Sequence, residues 1–145
     1  FGVNDHIKDI AEKFSKEGFI TWVPDIFYRV QNDVNLDYSA TSIEKGKELK
    51  GKSGWDLPTM DILSCIANLK VSHNVATIGF CYGGSLSWKA ACSAYGLDAS
   101  VCFYGSQISN FLDNLTDSVF GSINNEVLIP ASLRLAILVL NKSNS

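Results

Sequence analysis

Histidine is nearly missing from this chain. Only His6 and His73 occur in 145 residues, which leaves little material for the imidazole base on which most nucleophilic catalysis depends. Basic runs are missing too, and a net charge of −3 gives no general attraction to phosphate backbones, so no nucleic-acid partner is expected. No CxxC pair occurs among the four cysteines. Cys65, Cys92 and Cys102 fall inside apolar periodic segments, where a free thiol behaves as a small buried hydrophobe. The opening Phe1-Gly2-Val3-Asn4 has neither the basic nor the apolar region of a secretory signal. These absences together imply a reducing cytoplasm. An initiator methionine is also lacking, so the true start is expected further upstream. The longest apolar stretch, residues 127–140, is interrupted by Pro130 and Arg134 and is too short to span a bilayer, so no membrane partner is expected.

What the chain does have is enough apolar material for one domain. Hydrophobic residues make up 46% and charged residues 19%, a globular balance that excludes disorder. Ile7, Ile10, Ala11 and Phe14 share one face of a helix over residues 5–17, capped by Asn4 or Asp5 and stopped by Gly18. Residues 19–23 read as a strand ended by Pro24. Residues 30–56 are polar and read as a loop with one helical piece at 43–49. A helix at 58–70, a buried strand at 75–80, a helix at 84–95 and a strand at 99–104 follow. The alternation predicts an α/β fold with a parallel sheet covered by helices on both faces. After Gly105 the pattern weakens to a short candidate strand at 118–120 and the apolar end.

Between the second strand and the third helix stands Gly79-Phe80-Cys81-Tyr82-Gly83-Gly84. The spacing is that of a nucleophile elbow with cysteine at its centre. A sharp strand-to-helix turn holds the central residue in a strained backbone conformation. Side chains two before and two after would collide there, so Gly79 and Gly83 flank it. Cys81 would then stand at the carboxyl edge of the sheet and at a helix N-terminus, where orphan amides and the helix dipole favour a thiolate. The Tyr82 amide would point to where an oxyanion forms.

These residues, with Phe103-Tyr104-Gly105 behind them, resemble the dienelactone hydrolase (carboxymethylenebutenolidase) family of the α/β-hydrolase superfamily. The opening Phe1-Gly2-Val3-Asn4 and the segment Val23-Pro24-Asp25-Ile26-Phe27-Tyr28-Arg29 match it in the same order. The resemblance covers residues 1–108. It implies a cysteine–histidine–aspartate triad acting on a lactone or related ester, without metal or organic cofactor. Carried over by position, Cys81 is the nucleophile and Tyr82 supplies half of the oxyanion hole. Arg29 matches the arginine that holds a substrate carboxylate, a task suited to its planar fork; the plain alternative is a surface ion pair.

The chain departs from the family pattern in the segment before Phe1, at the acid and at the histidine. A glutamate expected two residues before Phe1-Gly2 and the partner oxyanion amide would precede the chain, so the domain is expected to be incomplete at both ends. The acid position falls on Asn124 without a gap, or on Glu126, four residues before Pro130, with a two-residue insertion; an unrelated tail after about residue 110 is the third alternative. No histidine follows either. His73 lies eight residues before Cys81, up to roughly 25 Å away along a strand, and reads as a loop residue. His6 opens the first helix on the elbow side of the sheet. The base is therefore expected to come from outside these residues, leaving the chain alone with little turnover. Three other functions are weighed against this one. A degenerate hydrolase fold acting as a binding module fits the missing histidine. A class I glutamine amidotransferase-like domain would need a His-x-Glu pair that is absent, and a redox-sensing thiol would need a resolving cysteine.

Overall fold

Asn4 starts the first helix. Its side chain accepts from the Ile7 amide at 3.2 Å, filling one of the orphan donors of α1 (Asp5–Lys16). The chain turns at Gly18, φ 91, and enters β1 (Ile20–Trp22). The structure is a computed structural model and describes residues 1–93, 97–114 and 135–140. Next come α2 (Ala40–Ser53), α3 (Asp56–Lys70), β2 (Asn74–Phe80), α4 (Tyr82–Ser93) and β3 (Ala99–Phe103). A 3₁₀ helix, Ile108–Asn114, and β4 (Leu135–Leu140) complete the described residues.

All strand pairs are parallel, in the order β1-β4-β2-β3. Helices cover both faces, as the alternation predicts. On one face Ile7 of α1 packs with Ala76 and Ile78 of β2, joined by Ile10 and Phe14. On the other, Ile62, Ile66 and Leu69 of α3 and Leu86 and Ala90 of α4 pack with Val75. Five successive residues of β2 are buried, which is why this strand reads as an unbroken apolar run rather than an alternation. The one hydroxyl within it, Thr77, is met from above and from the side. Ser87 of α4 donates to Thr77 Oγ1 at 2.6 Å and Thr77 donates to Ser100 Oγ of β3 at 3.0 Å. Ser100 Oγ in turn reaches the Ser87 carbonyl at 3.2 Å. This closed circuit pins α4 to both strands and pairs all three of its hydroxyls.

Two parts of the sequence reading need correction. The helical piece expected at 43–49 lies within a longer helix, α2, which takes up half of residues 30–56. It has no wide apolar stripe to betray it. It is closed instead by the Ser39 cap on the Ser42 amide at 3.3 Å and by the pairs Lys47–Glu44, Lys45–Glu48 and Lys52–Glu48. The apolar end contains a strand, β4, lying between β1 and β2. The helices expected from 58 and 84 begin two residues earlier, at Asp56 and Tyr82. The candidate strand at 118–120 lies outside the described residues. Among the described residues no helix is long and apolar enough to cross a membrane.

Candidate active site

Parallel strands bring their carboxyl ends to one edge of the sheet, the edge at which α/β folds place their ligands. Here β1 leads into Asp25, β2 into Cys81 and β3 into Tyr104. Cys81 is the single residue between β2 and α4, with φ 53, and it is buried. Its amide donates to the Phe103 carbonyl at 2.9 Å, tying the end of β2 to the end of β3. Its own carbonyl accepts from the Ser85 amide at 3.0 Å, the first turn of α4. The thiol therefore sits on a helix N-terminus in a left-handed backbone conformation, one that costs of order 1–3 kcal/mol for a non-glycine residue.

The glycines make that turn sterically accessible. A Cβ on Gly79 would stand 2.0 Å from the Gly83 carbonyl oxygen, and one on Gly84 would stand 2.6 Å from the Phe103 carbonyl oxygen. Strand, elbow and neighbouring strand touch backbone to backbone at these two points. Tyr82, just after Cys81, is buried; its ring stacks on Phe27 at 6.0 Å and meets Trp55 edge-on at 5.0 Å. Its hydroxyl donates to the Gly54 carbonyl, and burial pushes the phenol up to about 12. The side chain thus anchors the first turn of α4 on the core, where its backbone is held for whatever the amide binds.

Four further residues gather at this edge. Phe1 is buried, and its backbone nitrogen lies within electrostatic reach of Cys81 and Asp25. Tyr104 adopts φ 40. It is half exposed, and partial desolvation raises its phenol, with Cys81 and then Tyr38 adding to the shift. Tyr38 meets Phe1 edge-on at 5.3 Å and the His6 ring at 6.4 Å. His6 therefore stands on the Tyr38 side of the site, on the elbow's side of the sheet as its place in the sequence suggests. His73 precedes the first residue of β2, at the opposite edge, with Nδ1 3.3 Å from the Leu69 carbonyl. Tyr38 and Tyr104 were not singled out as site residues from sequence. The signal for Tyr104 was available: it follows the strand beside the nucleophile strand. Tyr38 lies in a polar stretch with no motif around it.

Arg29 is engaged in a two-pronged pair. Its Nε donates to Asp61 Oδ2 at 2.9 Å and its Nη2 to Oδ1 at 2.7 Å. Tyr28 also donates to Asp61 at 3.3 Å, and its ring lies 5.0 Å from the guanidinium. The pair holds the guanidinium well above its ordinary range. The surface ion pair, the plain alternative for Arg29, is what the structure shows, with Asp61 along one side of a fork that has five N–H donors. Asn124 and Glu126 lie outside the described residues. Among the described residues no group of histidine, cysteine, aspartate and glutamate side chains could hold a metal ion.

Residues 1–125 match the dienelactone hydrolase family. A Synechocystis protein provisionally named carboxymethylenebutenolidase is 33% identical over 116 residues, covering 77% of this chain and 47% of its own length. A Salmonella typhi protein with the same provisional name is 29% identical over 112 residues, 76% of this chain and 41% of its own. The carboxymethylenebutenolidase of Pseudomonas sp. strain P51 is 23% identical over 146 residues, 94% of this chain and 61% of its own. The chain thus spans about half the length of the curated relatives it matches. No solved structure matches it. With its elbow between β2 and α4 and the match running from residue 1 to residue 125, the chain belongs to the dienelactone hydrolase family.

Proposed function

We propose that this chain is the nucleophile-bearing part of a hydrolase that opens a lactone or carboxylic ester through Cys81. The Cys81 thiolate adds to the carbonyl carbon, and the Tyr82 amide holds the resulting oxyanion, a contribution of about 2.7–4 kcal/mol. The ring C–O bond breaks, the alkoxide takes the proton that left sulfur, and a thiol ester remains. Water then cleaves the thiol ester, releasing the hydroxy acid and restoring the thiol. The open side of the Arg29 fork would receive a carboxylate on the substrate. Glu126, or Asn124 in the ungapped alignment, would orient the imidazole that carries the proton. We take that imidazole to be supplied from elsewhere, since His73 stands at the opposite edge and His6 meets Tyr38.

The observation that supports this reading best is the left-handed backbone of Cys81 on the turn between β2 and α4. Alkylation with iodoacetamide at neutral pH tests it. Burial raises the thiols of Cys65, Cys92 and Cys102, so they should react slowly. Cys81 should react about tenfold faster or more, and the fast phase should vanish in Cys81→Ser. Equal, slow labelling of all four would leave an inert binding module. On an aryl ester the 145-residue chain alone should show little turnover. Substantial hydrolysis that Cys81→Ser abolishes would keep the nucleophile but overturn the external histidine.

A further inference from the structure

Tyr82 opens α4, so its amide is one of the donors that a helix leaves unpaired within itself. The direction of that N–H is set by the peptide plane it shares with the Cys81 carbonyl, because the two point oppositely across a planar trans bond. The carbonyl accepts from the Ser85 amide at 3.0 Å, so the N–H points out of the helix start. The plane follows a residue held at φ 53, a strained conformation. The Cys81 nitrogen is fixed on the Phe103 carbonyl at 2.9 Å, so any relaxation of that φ swings the plane and Tyr82 together.

What opposes the swing is the Tyr82 side chain, held at its ring by Phe27 and Trp55 and at its tip by the Gly54 carbonyl. Gly54 is the corner between α2 and α3. It takes φ 64 and ψ −149, a conformation that a residue with a Cβ rarely adopts. The demand comes from the backbone and not from packing, since a Cβ there would meet nothing within 4 Å. The Gly54 amide closes α2 on the Lys50 carbonyl at 3.0 Å, while its own carbonyl turns to Tyr82. The corner is itself tied down. Ser53 donates to the Ile26 carbonyl at 3.2 Å, and Lys50 Nζ lies 5.4 Å from the Trp55 ring centre and 5.7 Å from that of Tyr82.

We propose that the α2–α3 corner aims the oxyanion donor: Gly54, acting through the Tyr82 hydroxyl, is a positioning residue that keeps the Tyr82 amide turned to the oxygen of a carbonyl bound at Cys81. The proposal rests on Cys81 being the nucleophile, and its test separates the two. The probe is 2,2,2-trifluoroacetophenone on the 145-residue chain. The Cys81 sulfur bonds to the carbonyl carbon, the C=O π pair moves to oxygen as an oxyanion, and the thiol proton goes to the buffer. Fluorine NMR reads the dissociation constant of the adduct and the pH at which its oxygen ionises. Iodoacetamide, whose displacement creates no oxyanion, reads the thiol alone. Tyr82→Phe removes one oxygen and keeps the ring. In it, adduct affinity relative to alkylation rate should fall about tenfold, less than the roughly 100-fold that losing such a donor outright costs. The adduct should also ionise about one pH unit higher. Gly54→Ala should do the same from 28 residues away, and the double variant should do no worse than either single one. An unchanged ratio in either folded variant, or additive losses in the double variant, overturns the proposal while the nucleophile stands. Should one variant not fold, the other decides. No adduct at Cys81 in the unchanged chain overturns the proposal and the nucleophile together.

Discussion

Cys81 carries a backbone conformation that its side chain disfavours, and the residues around it are chosen to make that conformation the only one available. Gly79 is the sharpest instance. Its missing side chain leaves the Gly83 carbonyl room 2.0 Å from where a Cβ would stand. Gly79→Ala should therefore push α4 off β2, destabilising the domain by about 3 kcal/mol and removing the preferential alkylation of Cys81. A thermal melt combined with the labelling experiment reads both; an alanine variant that melts normally and still labels first at Cys81 would contradict the steric account. The elbow was legible in the sequence because its requirements are local: two glycines, a central cysteine and a strand-to-helix transition within six residues. The partner of Arg29 was not. Asp61 lies 32 residues away, and nothing around either residue announces a bond that only the packing of α3 creates.

At the scale of elements, α2 shows how a helix hides. Its buried positions are few, Gly46 and Leu49, so the apolar periodicity that exposes α1 is lacking. Its N-terminal turn depends on polar contacts: Asp37 accepts from the Ser39 amide at 3.0 Å and from the Ser39 hydroxyl at 2.6 Å. These bonds, the Ser39 hydroxyl first and Ser42 next, lower the Asp37 carboxyl from 3.8 to about 2. A carboxyl that is more acidic in the folded chain favours folding wherever it is ionised in both states. That contribution is complete above 3.8 and disappears as the pH falls through about 2. Amide protection at residues 39–43 should accordingly hold from pH 6 to about pH 4 and fall over the next two units, measured by hydrogen exchange. In Asp37→Asn the same amides should lose this acid sensitivity. Strands β1, β2 and β3 and helices α1, α3 and α4 were readable because each announces itself by period or by a flanking turn residue. β4 was not, since a short apolar run fits a buried helix as well as a buried strand. Its place between β1 and β2 is a long-range pairing that no local pattern encodes.

For the molecule as a whole, the parallel sheet works as a partition with a separate apolar layer on each side. The layer under α1 is thin and centres on Ile7, which is fully buried against Ala76 and Ile78. Ile7→Ala should thus cost about 2–5 kcal/mol, seen as a lower urea midpoint with unchanged slope; a shift near zero would mean that α1 is not part of the cooperative unit. The family and the fold class could be inferred before any coordinates, because they follow from alternation and one motif. Strand order and the tyrosines around the thiol could not, because they arise only when distant segments meet. The two left-handed residues at the carboxyl edge of the sheet, Cys81 at φ 53 and Tyr104 at φ 40, are joined through one amide–carbonyl bond, Cys81 to Phe103. That single bond ties the tip of β2 to the tip of β3, so the turn that carries the sulfur and the turn that carries the tyrosine share one backbone anchor.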